Sequence, residues 1–403
     1  MISAVAIAVA ILVTLILTFG RFAKSEAWCA TVTPLASIIG SGFLICGPLL
    51  AREFGAGAII AMTLLLAIAY AAGGVVRYNI QYAEDHAATL DFNDRLAWTM
   101  RVAQILLAIA YAVSVAYYLK LLAEFLLKAI PASSADHSVL SNVIVTTILI
   151  ALAALSLSGD IRKVEHAAHT SVSVKIGLIA GLLTGLGLWW ATNPALAIAL
   201  PSVKASWAGL PMLLGLLITV QGFETSRYLG EQYDQETRIR TMRHAQWISS
   251  VIYILFLALL TPVLEPASRA EGVAGIYDVM AMVAPLLGLF VLGGALTSQL
   301  SAAIADSIGS GGLLVEVSRR RLSVRSAFLV ASALSVAVVW LTDPFEVIAL
   351  SSRAFAAYYA VQALIALWVS RRIGVGGPVL HAGFVLIGLV CLVAAMVGAP
   401  AEG

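Results

Sequence analysis

Apolar runs of about 20 residues, long enough to cross the hydrocarbon core of a bilayer as helix, recur along this chain with short polar breaks between them. Backbone in lipid must satisfy its own hydrogen bonds, so such runs fold as helices and not as loops or open sheet edges. The composition fits that solvent: 61% of the 403 residues are hydrophobic, 11% are charged, and the mean hydropathy is +0.97. Soluble domains carry roughly twice that charged fraction, which excludes a water-soluble globular chain. A net charge of +2 without a basic tail gives no footing for nucleic acid. Cys29, Cys46 and Cys391 sit in apolar stretches and read as small core residues, neither a disulfide framework nor a metal cluster.

Spanning segments are expected near 2–20, 26–52, 56–82, 95–128, 138–157, 165–190, 207–229, 244–264, 280–309, 326–342, 344–370 and 378–397, about twelve helices in all. Lys and Arg fall fifteen to one set of connections and four to the other. The rich set comprises the connections around Arg21, Arg95, Arg162, Arg238, Arg320 and Arg371 and is expected on the cytoplasmic side. Twelve crossings then leave both termini outside the cell inner membrane. The first segment lacks a basic flank before it and a small-x-small site after it, so it reads as a helix and not as a cleaved signal. The polar stretch from Pro262 to Asp278 lies on the opposite side and is a candidate cap over a vestibule.

Counting core segments from the one at 26–52, segments 1 and 6 enter the membrane from opposite sides. Each carries a Gly-containing polar interruption halfway along an apolar run: Ile39-Gly40-Ser41-Gly42 in segment 1 and Val220-Gln221-Gly222-Phe223-Glu224-Thr225 in segment 6. Gly and Ser in membrane helices often serve only close packing. A matched pair in oppositely oriented halves is instead the mark of a secondary-transporter site at the midplane. Unwinding frees N–H groups at one half-helix and carbonyls at the other, so a zwitterion is held without charged side chains.

These residues resemble the amino acid-polyamine-organocation superfamily and its LeuT-type fold. The likeness spans about residues 26 to 370 and rests on IIGSGFL, GFETSRYLGE and the run from Gly159 through Val174-Lys175-Ile176. It implies an all-α polytopic membrane protein with a 5+5 inverted repeat, the halves at 26–190 and 206–370. Residues 1–25 and 371–403 supply peripheral helices, the extra helix at the N-terminus being a departure from the family. It also implies that Gly40, Ser41 and Gly42 receive a substrate carboxylate and Val220, Gln221, Gly222 and Phe223 its amino group. No cofactor is implied; the partners are a small substrate, protons and lipid.

Ionisable residues inside the membrane are functional candidates. Lys175 lies about 15 Å into segment 5, too deep to snorkel. The resemblance puts it where sodium-coupled members hold a cation between segments 1 and 8, with Ser298 and Ser301 beside it. Burial penalises an ammonium, so the lysine reads equally as a proton carrier and as a structural cation paired with helix carbonyls. Glu224 is expected to accept from freed N–H groups, to face a substrate amine, or to pair with Arg227 or Arg353. Arg353 is a candidate outer gate with Asp306 or Glu124, and reads equally as a structural pair. Tyr111, Phe223 and Tyr359 are candidates to line the cavity.

The main rival is an integral-membrane metalloenzyme built on Glu165-His166-Ala167-Ala168-His169, whose imidazoles stand at helical spacing. It lacks a third ligand nearby, and His86, His137, His244 and His381 are scattered. No nucleophile elbow, Walker loop or dinucleotide fingerprint occurs in a strand-turn-helix setting. A channel lacks its repeated filter sequence; a transporter-like sensor stays open.

Overall fold

The computed structural model describes residues 2–40, 42–84, 94–129, 137–158, 161–193, 200–203, 209–230 and 232–400; of residues 129, 155–158 and 161–170 it describes the backbone alone. Every regular element among them is helical. In chain order these are α1 (Ile2–Phe19), α2 (Glu26–Ile38), α3 (Gly42–Phe54), α4 (Ala58–Tyr78), α5 (Arg95–Ala129), α6 (His137–Ser158) and α7 (Ile161–Thr192). Then come α8 (Leu210–Gly215), α9 (Gln235–Leu260), α10 (Pro285–Val317), α11 (Val324–Leu341), α12 (Pro344–Ile373) and α13 (Pro378–Val397). Core segment 1 is α2 plus α3, and segment 6 is α8 followed by the tight turns Leu217–Val220 and Phe223–Leu229. Ten runs among the described residues are long and apolar enough to cross a membrane. Segment 6 is not one of them, because its break leaves pieces too short to qualify.

Three helix starts differ from the sequence reading, the first two for a visible local reason. The seventh core helix starts at Gln235, not near 244, because Asp234 caps it by accepting from the Thr237 N–H at 2.7 Å. Those Thr237 bonds hold the Asp234 carboxyl below the usual aspartate range. The eighth, α10, starts at Pro285 because extended Ala284 separates it from the short helix Ile276–Val283. The fifth, α7, starts at Ile161.

The packing repeats itself between the two halves. Helix α5 lies against α10; α7 packs on α10 as α12 packs on α5, α6 on α5 as α11 on α10, while α4 meets α9 and α6 meets α11. Exchanging core segments 1–5 with 6–10 maps this set of contacts onto itself, as a 5+5 inverted repeat requires. Exposed Ile11, Leu12 and Ile16 on α1, with Leu386, Leu389 and Val393 on α13, form apolar faces suited to lipid.

Helix α1 docks on α7 through small residues. A Cβ at Gly181 would stand 2.8 Å from the Ala6 carbonyl oxygen and 2.9 Å from Ala10 Cβ, and one at Gly177 would stand 2.0 Å from Thr14 Oγ1. Ser173 Oγ donates to the Leu17 carbonyl at 3.1 Å. Close backbone approach of this kind is how helices associate where lipid removes the hydrophobic drive. Gly181→Leu is therefore expected to dislodge α1 and cost about 1–3 kcal/mol by overpacking. A lowered Tm in detergent, with loss of a cysteine cross-link engineered between α1 and α7, checks it.

At one end, the stretch after α9 folds into the turns Thr261–Val263 and Leu264–Ser268 and the helix Ile276–Val283. Arg52 at the end of α3 donates to the Ala270 carbonyl, and Lys128 at the end of α5 pairs with Asp278 at 2.6 Å. This cap is thus tied to segments 1 and 3. At the Arg-rich end, Glu84 takes Arg238 at 2.8 Å and Arg227 at 3.5 Å, joining the end of segment 2 to segments 6 and 7.

Candidate functional site

Helix α2 stops because Ile39, at φ −82° and ψ 68°, leaves the helical region, and α3 resumes at Gly42. Ser41 lies outside the described residues. In segment 6 the chain tightens over Leu217–Val220, Gln221 is extended, and Gly222 takes φ +114°, a left-handed conformation that glycine adopts without strain. The two breaks lie back to back. A Cβ at Gly222 would meet Ser37 Oγ at 2.5 Å and the Ile38 nitrogen at 2.7 Å, and one at Gly42 would meet Thr219 Cβ at 2.8 Å. Each glycine therefore admits the other segment's backbone.

Groups freed by the breaks find partners on neighbouring helices, as buried backbone must. Tyr253 on α9 directs one hydroxyl at the Ile38 carbonyl, 3.1 Å away, and at that of Thr219, so a single side chain touches both breaks. Ser352 on α12 donates to the Gly215 carbonyl at 2.6 Å and accepts from the Ile218 N–H at 2.9 Å. Neither residue carries a signal in the sequence that marks it for this task.

Lys175 is fully buried on α7, and its Nζ donates to the carbonyls of Ala36 and Ile39, both at 2.6 Å. These are the last carbonyls of α2, where the helix dipole is negative. No carboxylate among the described residues lies within ion-pair distance of it. Ser298 and Ser301 are buried on α10, and the Ser301 hydroxyl turns back onto the Ser298 carbonyl at 3.0 Å. A cleft of about 720 Å³, its open mouth included, runs from Leu229 and Gln232 past Ser301 to Val172 and Ala36. It is thereby lined by Ala36, whose carbonyl Lys175 holds, and by Val172, one turn from Lys175 on α7.

Glu224, also fully buried, accepts through Oε2 from the Gly222 N–H at 3.1 Å and from the Tyr359 hydroxyl at 2.7 Å. It thus serves a freed donor, as one of the sequence readings had it. The ion pairs considered for it do not form: Arg227 goes to Glu84, and Arg353 gives its Nε to the Ala395 carbonyl at 2.9 Å. That bond also corrects the reading of Arg353 as a gate with Asp306 or Glu124. The side chain is exposed toward α13, Asp306 is held by Ser114, and Glu124 faces His137 at 3.8 Å.

Phe223 stacks on Tyr359 with ring centres 5.2 Å apart, and Tyr111 meets Phe355 edge-on at 5.8 Å. Tyr118 accepts from Gln221 Nε2 at 3.3 Å, and its ring lies 3.2 Å from where a Gly40 Cβ would be. The sequence reading missed Ser114 and Tyr118. Their spacing with Tyr111, three and then four residues along α5, puts all three on one helical face, a polar stripe on an otherwise apolar span. The side chains of His166 and His169 lie outside the described residues, and among those described no group of three or more His, Cys, Asp or Glu stands together to hold a metal.

A family model described as APC superfamily transporter matches residues 20–398. The chain belongs to that superfamily. An uncharacterized protein of Aquifex aeolicus (strain VF5) is 38% identical over 355 residues, covering 86% of this chain and 85% of its own. Among solved structures, a mutant of the manganese transporter of Eremococcus coleocola superposes with a TM-score of 0.59 at 14% identity, over 94% of this chain and 87% of that one. The same transporter bound to an aromatic bis-isothiourea substituted compound gives 0.59 at 13% identity, over 93% and 87%. At such identity the likeness concerns the fold alone. As an APC superfamily transporter with ten apolar spanning runs, the protein is a multi-pass integral membrane protein.

Proposed function

We propose that this transporter moves a small amino acid or amino-acid-like metabolite by alternating access, independently of sodium and linked to protons. In this reading the Arg-rich end is cytoplasmic, both termini face outward, and the membrane is the cell inner membrane. Residues 26–190 and 206–370 act as the two repeats, flanked by the peripheral segments 1–25 and 371–403.

The observation that carries the reading is the crossing of two broken helices at Gly42 and Gly222. The interrupted stretches around residues 40–42 and 220–223 bring backbone donors and acceptors side by side, which matches a carboxylate and an ammonium on one small molecule. The carboxylate goes to Gly40, Ser41 and Gly42. The ammonium goes to the carbonyls of Val220 to Phe223, with Glu224 behind them and Tyr111 on the wall. Lys175 occupies the seat a sodium ion would need, and a cation beside that ammonium would be strongly repelled in so dry a place. Loss of its proton would release the Ala36 and Ile39 carbonyls and loosen α2 from α7 and α10, the step that couples proton release to a change of access. The nearby cleft offers the proton a path, with Ser298 and Ser301 alongside.

Manganese, named for the structural neighbours, is the second reading. The described residues at the first break offer no carboxylate or imidazole ligand for a divalent ion, while carbonyls and one carboxyl at the second suit an ammonium at least as well. A thermal-shift screen of the purified protein over amino acids, amines, nucleobases, organic acids and Mn2+ tests the proposal. Stabilisation that rises with amino acid concentration supports it. Stabilisation by Mn2+, nucleobases or organic acids alone overturns the substrate while leaving the fold. Covalent turnover requiring His166 and His169 would move the protein to the enzyme class.

A further inference from the structure

Arg77 on α4 is a cation within a spanning helix that meets no acid. It is 8% exposed and lies seven residues, roughly 10 Å of helix, before Glu84 at the Arg-rich end. Its Nη1 donates to Gln246 Oε1 on α9, its Nη2 donates to the Tyr70 carbonyl at 3.3 Å, and its guanidinium lies 4.8 Å from the centre of the Tyr70 ring. All these partners are neutral, and no carboxylate among the described residues pairs with it. The packing holds it in place: Gln246 is itself buried and donates to the Ala69 carbonyl at 3.0 Å, and Gly73 makes room for that amide, since a Cβ there would stand 2.4 Å from Nε2. Arg243, one turn before Gln246 on α9, is exposed and has no hydrogen-bond or ion-pair partner among the described residues; its charge lies within electrostatic reach of Arg77. Two arginines facing each other from two helices, at the edge of a low-dielectric medium, repel unless an anion lies between them.

The surroundings decide which anion. Trp247, 58% exposed, sits against Tyr70 with ring centres 5.5 Å apart, and Val251 and Leu255 beyond it are exposed as well. Arg243, Trp247, Val251 and Leu255 recur every four residues, so they form one slanting stripe along about 18 Å of α9. Half the hydrocarbon thickness of a bilayer is about 15 Å. The order along the stripe is therefore cation, interfacial aromatic, then apolar surface toward the midplane, which is the order of charge, glycerol and acyl chain in a phospholipid of one leaflet. A soluble anion would match the arginines alone, whereas an anionic phospholipid matches the whole stripe.

We infer that Arg77 and Arg243 bind the headgroup phosphate of an anionic phospholipid, which seats between α4 and α9 at the Arg-rich end and clamps the two helices together. Basic pockets between spanning helices suit anionic headgroups, and guanidinium-to-phosphate bonds are of the strong, charge-assisted kind. The lipid is a structural partner, and its site is independent of what the protein transports.

The test titrates the purified, lipid-depleted protein in detergent with phosphatidylglycerol, with phosphatidylcholine of the same acyl chains and with inorganic phosphate, reading bound lipid by native mass spectrometry and Tm in parallel. Wild type is expected to bind phosphatidylglycerol at least about tenfold more tightly than phosphatidylcholine, with a Tm that rises with its concentration. Arg243→Gln is expected to lower that preference about fivefold, the contribution of one arginine near an anionic surface, and Arg77→Gln at least as much. Arg325→Gln, which removes an exposed charge on α11 at the same end, is expected to leave the preference within about twofold of wild type. Equal binding of the two lipids by wild type overturns the inference, a comparison that depends on no variant folding. A loss in Arg325→Gln as large as in Arg243→Gln overturns it too, since the arginines would then act only as diffuse surface charge. Stabilisation by inorganic phosphate to the same extent as by phosphatidylglycerol assigns the pair to a soluble anion and overturns the lipid.

Discussion

Replacing Lys175 with alanine is expected to abolish proton-driven uptake and to destabilise the protein by about 2–6 kcal/mol, the cost of leaving two buried carbonyls without a donor. The ammonium is the donor to two carbonyls at the end of α2. Without it those oxygens are left unsatisfied in the dry interior, and each such loss costs about 1–3 kcal/mol. The measurement is uptake into proteoliposomes with sodium replaced by choline, with and without a pH gradient, in wild type and Lys175→Ala, alongside the Tm of each. Wild-type uptake is expected to be unchanged by choline and accelerated by an inward proton gradient, and the variant to show neither response. Strict sodium dependence in wild type would refute the assignment. If the pH gradient has no effect on wild type and the variant loses only stability, Lys175 is a structural cation and the protein a facilitator or exchanger.

Gly222→Ala is expected to separate the two breaks. At φ +114° an L side chain is strained by about 1–3 kcal/mol, and the new methyl adds an overpacking cost of about 1–3 kcal/mol. The atoms it would strike are Ser37 Oγ and the Ile38 nitrogen, at 2.5 and 2.7 Å, and Ile38 belongs to the last turn of α2. Relief therefore requires segments 1 and 6 to move apart where the substrate is proposed to bind. The expected result is a much lower Tm and loss of ligand-induced stabilisation even at temperatures where the variant is folded. Gly294→Ala is the control: its Cβ would meet nothing within 4 Å on α10, so Tm is expected to hold or rise slightly through helix propensity. Equal behaviour of the two variants would show that the breaks are not held together by that contact.

The membrane spans could be read from the sequence because they depend on a local rule. A run of apolar residues must become helix in lipid whatever lies beside it, which is why twelve crossings could be listed without a structure. The breaks at Gly40 and Gly222 were legible for the same reason, since a polar Gly-containing interruption cannot stay an ordinary helix unnoticed in an apolar span. Lys175 was marked by its depth, and Glu224 by its place beside the second break. Which groups these charges meet was a different matter. Lys175 reaches carbonyls more than 130 residues earlier in the chain, and Glu224 a hydroxyl 135 residues later. Such pairings depend on which faces of α2, α7 and α12 the bundle turns together, and helical periodicity within one segment carries no information about its partner's rotation. For that reason the sequence left Arg353 open between an outer gate and a structural contact, and only the bundle shows its side chain turned toward α13. Asp306, one of two acids in a long apolar helix, had no local feature to link it to Ser114. The sequence by itself determined that the chain spans the membrane, where its helices run and which two of them break. Only the tertiary structure decided what sits at the breaks, because a buried polar atom is defined by the neighbours that satisfy it, or fail to, and those come from distant parts of the chain.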